Sequence, residues 1–462
     1  MSLTSYRPVR GIRAGLPLAV TLLWAGGCGV LGAAPNNIDA RTPSDTPLKE
    51  VPGPTTDLGV LESGLKERRE LYPGIDPIFP ELRDDIAFPT SPFFDDAVLS
   101  LEPRFFSFYR DNRDGSISQT TALGGTLGLE SGWWRDALQL GVTAFGSQKL
   151  YGPSDRDGIG LLRPGQSSYI VLGEAYANFR FRKSSASLGW KELTLPYLNG
   201  HDIRMTPNSF EYVGLKSTEM AGFQFAAGHV NRIRPRTDGS FKYMSEQAGA
   251  EGSKKGVSVI GARWDITDDF HVAAVDLYGW DTFNTFYAEL EWLRELESGS
   301  TLRFGLQFTD QRHVGDALVG NSESQIGGVK AAWAQGPLTL SGAFTWASDD
   351  DAILKPWGGS PSYNSIMIGD FDRAGERAVQ VGATFDFSSL CLEGLSANTR
   401  YAYGTVSGSE PDQKEFNFTV DYRVPGDFLE DLWIRARYAR NSLGSSGSIT
   451  DYRLEMNYAV EF

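Results

Sequence analysis

From Ala97 to Phe462 the chain alternates apolar and polar residues with a period of two. At the C-terminus, Tyr452, Leu454, Met456, Tyr458, Val460 and Phe462 interleave with Asp451, Arg453, Glu455, Asn457, Ala459 and Glu461. A β-strand sends successive side chains to opposite faces, so this segment has one apolar and one polar face. Phe416, Phe418, Val420 and Tyr422 repeat the pattern against Asn417, Thr419, Asp421 and Arg423, as do Leu302, Phe304, Leu306 and Phe308 against Arg303, Gly305, Gln307 and Thr309. About eighteen such segments of roughly ten residues run from 97–110 to 450–462, with 184–194 and 220–230 among them. That length lets a tilted strand cross the hydrocarbon layer, and an even number closes an antiparallel barrel with both ends on one side.

The connections carry a second signal. Gly132–Arg135, Lys183–Ser184, Thr218–Met220, Ile266–Asp268 and Gln335–Pro337 are tight, whereas Lys149–Ser168, Leu195–Pro207, Arg232–Lys254, Arg312–Ser322 and Ala347–Gly375 are long. Short periplasmic turns facing long external loops produce this alternation. Two gaps depart from it: Trp280–Phe283 is a short external link and Arg294–Ser300 a longer periplasmic one. A soluble β-sandwich would use shorter strands with the apolar face inward. Strand length, loop asymmetry, the terminal Phe462 and an export signal favour the membrane barrel.

That signal occupies residues 1–34: Arg7, Arg10 and Arg13, a short apolar core from Leu16 to Trp24, and small residues at Gly32, Ala33 and Ala34. Cys28 offers lipidation as an alternative, without the leucine expected three residues earlier. Residues 35–92 form a proline-rich periplasmic extension, in which Leu58, Leu61, Leu65 and Tyr72 predict a short helix over 58–72. The barrel takes 93–462.

Composition narrows the function. Aromatic residues make up 12% and glycine 52 positions, with two cysteines, which suits aromatic girdles and many turns and excludes a disulfide framework. Mean hydropathy is −0.27, too polar for a helical membrane protein. A net charge of −15 argues against nucleic-acid binding. The four histidines fall in no H-E-x-x-H motif, and no nucleophile elbow or phosphate loop is present, so neither catalysis nor a cofactor or metal is expected. The run Asp349–Asp350–Asp351 reads as a solvated loop segment, with a divalent cation as the sharper alternative.

Arginine facing lipid at mid-depth costs about 2–4 kcal/mol, so strand cations should point inward. Arg180, Arg182, Lys191, Arg303, Lys330, Arg400, Arg423, Arg435, Arg437 and Arg453 form this set, while Arg440 falls on the outer face near a strand end. Glu289, Glu291, Asp386, Asp421 and Glu455 are the inward acids. Such an interior is either a basic track for carboxylates, which guanidinium binds through two hydrogen bonds, or a salt-bridge network that stiffens the barrel.

Three stretches resemble the OprD-type porins, or outer-membrane carboxylate channels. They are Phe93–Asp96 with Leu99–Arg110; Gly160–Gly165 with Lys191–Gly214, including Asp202-Ile203-Arg204-Met205-Thr206-Pro207; and Arg373–Glu376 through Phe385-Asp386-Phe387 to Arg400-Tyr401. The likeness covers about residues 92–462. It implies an eighteen-stranded barrel whose third and seventh external loops fold inward as a constriction, with an arginine ladder in which Arg204 is the loop-three member. Ile203 separates Asp202 from Arg204, where the family has the two adjacent.

The sequence therefore predicts an outer-membrane diffusion channel of a Gram-negative-type bacterium for small polar, carboxylate-bearing solutes. Arg204, Arg400, Arg435 and Arg437 are the leading contact residues. Its expected surroundings are outer-membrane lipid and lipopolysaccharide, with the barrel-assembly machinery reading Phe462; the oligomeric state is left open. A polysaccharide export channel and an outer-membrane barrel enzyme are the alternatives.

Overall fold

The computed structural model describes residues 93–462 except 95, 409 and 426–431; the expected signal peptide, extension and helix lie outside the described residues. Eighteen long strands are present among them. They are β1 (Val98–Asp111), β2 (Ile117–Glu130), β3 (Leu138–Tyr151), β4 (Tyr169–Phe181), β5 (Ser184–Lys191), β6 (Ser209–Met220), β7 (Phe223–Arg234), β8 (Val257–Thr267), β9 (Phe270–Gly279), β10 (Phe283–Glu295), β11 (Thr301–His313), β12 (Glu323–Gln335), β13 (Leu338–Ala347), β14 (Glu376–Asp386), β15 (Leu395–Val406), β16 (Gln413–Arg423), β17 (Trp433–Leu443) and β18 (Ser448–Asn457). Each pairs antiparallel with the next, and β18 pairs with β1, Arg453 opposite Phe108 and Asp451 opposite Arg110. A final Val460–Glu461 continues this seam against Leu101 and Ser100. Closure removes the edges that hydrocarbon cannot satisfy.

Several strand boundaries differ from the sequence reading, the last segment ending at Asn457 rather than 462 among them, and two show why. β5 stops at Lys191 because the Glu192 N–H donates to the Glu174 carboxylate (2.8 Å), and Thr194–Leu195 pairs instead with Leu198–Asn199 as a hairpin inside the next loop. β6 runs on to Met220 and β7 starts at Phe223, because Gly222 takes the left-handed conformation (φ +69°) that turns the chain. A side chain there would also press on the Asp265 carbonyl at 3.0 Å.

The alternation sorts as expected on most strands. Along β11, Phe304 (44% exposed) and Leu306 (48%) face out, while Gln307 and Thr309 are buried inside. Such large exposed apolar residues recur around the barrel, including Leu127, Val329, Val381 and Phe418, as a lipid-facing band requires.

The interior of β7–β10 departs from the rule. Val230, Val257, Val259, Val275, Leu277, Phe283 and Tyr287 point inward and are buried with Tyr197, Leu198, Met244, Ile353 and Trp357. These partners come from external loops, numbered here in chain order: L3 (192–208), L4 (235–256) and L7 (348–375). The expectation that inward faces are polar fails there because three loops fold into the barrel and need apolar seats. A second cluster seats L2 (152–168): Ile159, Leu161 and Leu162 pack with Met205 of L3 on Phe106, Phe108 and Ala122.

Candidate functional site

L3 and L7 meet inside the barrel. Asn199 is the junction: its N–H donates to the Trp357 carbonyl (3.2 Å) and its side-chain oxygen accepts from the Gly359 N–H (2.9 Å). Gly358 passes so close that a Cβ would lie 2.7 Å from the Asn199 side chain. Trp357 anchors L7 by stacking on Phe283 (4.7 Å, 15°) and donating to the Met244 carbonyl of L4 (2.8 Å). Farther along, the Ile368 and Gly369 N–H groups donate to Glu415 of β16 (2.9 and 2.7 Å). Within L7, Lys355 bridges Asp370 (2.6 Å) and Asp372 (2.5 Å). Burial, reinforced by Asp370, pushes the Asp372 carboxyl up to about 6.

One inner wall, β17–β18–β1, is arginine-rich. Register places Arg437 opposite Arg453, and Arg453 opposite Phe108. Three guanidinium groups surround the Phe108 ring: Arg453 at 4.5 Å, Arg204 of L3 at 5.0 Å and Arg110 at 5.3 Å from its centroid. The ring's negative face offers each cation a modest attraction. Asp451 accepts from Arg110 (2.6 and 2.8 Å) and Arg453 (2.7 Å), and Arg453 also donates to the Met367 carbonyl of L7 (3.1 Å). Arg104 ties L3 to the wall with two bonds to Asp202 (2.6 and 2.8 Å) and one to the Arg204 carbonyl (2.6 Å).

Arg204 is 9% exposed. Among the described residues its guanidinium donates to two carbonyl oxygens, Ile159 (2.8 Å) and Ile203 (2.7 Å), and to no carboxylate. Burial, then Arg453, Arg236 and Arg110, push it well below the ordinary arginine range. Burial likewise holds the neighbouring His201 well below the usual histidine range, with Arg236 and Arg204 adding to it. This corner carries positive charge that the protein neutralises only in part.

The other sequence-predicted cations are dispersed. Arg435 and Arg437 stand on the arginine wall, Arg435 bonded to Asp421 (2.6 Å) and Arg437 3.7 Å from Glu455. Arg400 is half-buried on the inner face of β15, opposite Asn417. Arg303 and Lys330 lie on β11 and β12, the first 3.8 Å from Glu291 and the second over the Tyr363 ring at 5.0 Å. Lys191 sits over Tyr176 at 4.1 Å. Arg180 pairs with Asp136 beside the β4–β5 turn, Arg182 is exposed in that turn over Phe181, and Arg423 is exposed at the periplasmic end of β16 over Trp433. Arg440 is exposed on the outer face. Of the acids, Glu289 accepts from Tyr287 (2.8 Å), while Asp386 caps the turn after β14 through the Ser388 N–H. The Asp349–Asp351 run is exposed at the external rim. Cys391 is exposed in a periplasmic turn.

Sequence reasoning missed Arg104 and Arg110, because Phe106 and Phe108 share their inward face and mask the alternation. Arg236 and Lys355 were missed because loops have no period to read.

A family profile described as outer membrane porin, OprD family, matches residues 91–462. The chain belongs to the OprD family of outer-membrane porins. Porin D of Pseudomonas aeruginosa is 26% identical over 412 residues, covering 80% of this chain and 91% of that one. The porin-like protein GalP of Pseudomonas putida is 26% identical over 400 residues, 80% and 93% of the two chains. Among solved structures, Pseudomonas aeruginosa OccK9 (OpdG) superposes with a TM-score of 0.74 at 25% identity, covering 80% of this chain and all (100%) of that one. Pseudomonas aeruginosa OpdK, solved with vanillate, superposes at 0.73 with 23% identity over 80% and 100% of the chains. This OprD porin is an outer-membrane barrel of a Gram-negative bacterium, and small polar solutes cross it by diffusion.

Proposed function

We propose that this porin prefers carboxylate-bearing solutes and that its β17–β18–β1 wall is their track. The observation that carries this reading is the Arg204 corner, where guanidinium groups crowd Phe108 and Arg204 itself has no carboxylate partner among the described residues. A solute carboxylate entering there gains charge-assisted hydrogen bonds and relieves the repulsion between Arg204, Arg453 and Arg110. The paired arginines, Arg435 with Asp421 and Arg453 with Asp451, hold the wall rigid, so the ion-pair network and the track are one structure. Arg400 of β15 and Lys330 of β12, the latter over Tyr363 of L7, add positive charge to the lumen. No covalent step is assigned to any side chain, and Phe462, exposed at the chain end, is the signal offered to the assembly machinery.

Planar-bilayer recording tests this. Under a salt gradient, Arg435→Ala with Arg437→Ala should lower the anion-over-cation permeability ratio by at least about twofold. An unchanged reversal potential defeats the assignment.

A further inference from the structure

On the outer face of the barrel, three cations stand at the external ends of β14, β16 and β17. Arg377 is the second residue of β14, Lys414 the second of β16, and Arg440 lies three residues before the end of β17. All three are exposed and share their parity with the exposed neighbours Val379, Phe416 and Ala436. Lys414 pairs with Ser442 and Arg440 with Phe416, so Lys414 and Arg440 are diagonal neighbours, about 7–8 Å apart at the backbone. Arg377 lies opposite Thr405 and Lys414 opposite Tyr403, two strands and two residues apart. The register climbs toward the external side with strand number: Arg104 in mid-β1 aligns through Gly124 and Ser147 with Tyr169, the first residue of β4. Strands tilted by about 35–45° climb by roughly one residue per strand, which brings the three cations to nearly one height.

None of the three is ion-paired among the described residues. Arg312, the outward cation at the external end of β11, is different: Asp310 (2.8 Å) and Glu323 (3.7 Å) neutralise it. Three acids flank the patch without pairing to it. Asp349 lies beside Gly375, Asp412 accepts from the Tyr403 hydroxyl (2.7 Å), and Asp111 is two strands from Arg440 across Thr450. Lys414 rests over the same Tyr403 ring at 5.5 Å, which steadies its ammonium group on the outer surface. Below the cations, Val379, Val381, Tyr401, Phe416 and Phe418 form an exposed apolar surface that acyl chains can cover. Unpaired cations just above such a surface are stabilised by anionic head groups.

We propose that this face of β14–β17 is a docking surface for lipopolysaccharide, with Arg377, Lys414 and Arg440 on the phosphate groups of its lipid A head and the acyl chains along the apolar surface beneath. Charge complementarity names the occupant: facing outward at the external end, the three cations meet the outer leaflet, whose lipid anchors bear phosphate monoesters. The patch assigns that contact to one sector of the barrel. It has no part in the lumen, so it stands apart from the carboxylate reading.

The test is binding of bisphosphorylated lipid A to the full-length porin in neutral detergent micelles, read by energy transfer from tryptophan to a fluorescent label on the lipid. Dephosphorylated lipid A and phosphatidylglycerol, labelled alike, are the other arms. Each unpaired cation near a lipid surface is worth about fivefold in affinity. Wild type should therefore hold the phosphorylated lipid at least about twentyfold more tightly than the dephosphorylated one. Arg377→Gln, Lys414→Gln and Arg440→Gln should each lose about fivefold, and the triple variant the whole preference. Arg312→Gln should bind like wild type. Heat-modifiable migration on gels checks that each variant is folded, and the reversal potential of the triple variant should match wild type because the lumen is untouched. Equal affinity for the two forms of lipid A, phosphatidylglycerol bound as tightly as phosphorylated lipid A, a triple variant that binds like wild type, or an equal loss in Arg312→Gln overturns the docking surface, whatever ion the pore prefers.

Discussion

Lys355→Met removes the one cation between Asp370 and Asp372. With side chains 20%, 29% and 12% exposed, the three groups are mostly but not fully withdrawn from water. Breaking a fully buried pair costs about 3–5 kcal/mol, and solvent screening at this exposure reduces that to about 2 kcal/mol. A change of that size shifts a local open–closed equilibrium by about 30-fold. The loosening should stay around residues 355 and 370–372 of L7, because Trp357 on Phe283 and the Glu415 bonds to Ile368 and Gly369 are untouched. Single-channel recordings at pH 8 should then show added flicker and sub-conductance levels over wild type, from a barrel that still folds. At pH 5 the defect should shrink, since Asp372, already raised by burial and Asp370 and no longer held down by Lys355, is then protonated and the two carboxylates no longer repel. The triple variant Lys355→Met, Asp370→Asn, Asp372→Asn should be quieter than the single one, because no unpaired buried charge remains. A single variant as quiet as wild type at pH 8 refutes the idea that this triad holds L7.

The same carboxyl predicts a pH response of the native pore. Its value is raised from that of a free aspartate, so it is charged above about pH 6 and neutral below. The anion-over-cation permeability ratio should rise between pH 7.5 and pH 5, and Asp372→Asn should flatten that rise; a flat wild-type profile counts against it. Trp357→Ala empties a buried seat at a cost of about 3–5 kcal/mol and should enlarge the mean conductance while leaving strand content by circular dichroism intact. Leu306→Arg places a cation on the lipid face near mid-strand and should cost about 2–4 kcal/mol in refolding into vesicles, whereas an unaltered refolding midpoint would mean that face does not touch lipid.

The period-two pattern by itself determined the barrel. Strand residues have two faces and hydrocarbon tolerates only one kind of surface, so the faces of β11 and β14–β18, the strand number and the loop asymmetry follow from local residues. Arg435 and Arg437 were legible for that reason: Ala436 and Tyr438 beside them are outward, and the parity is unambiguous. What only the tertiary structure decided is what fills the interior. Val257, Val259, Val275 and Leu277 break the polar-inside rule because L3, L4 and L7 come down onto them, and a loop's landing place depends on contacts far away in sequence. The gathering of Arg204, Arg110 and Arg453 around Phe108 needed the closure of β18 on β1 together with the inward fold of L3. Alternation tells each residue which way to face; closure and loop packing choose its neighbours, and the chemistry of the lumen belongs to the neighbours.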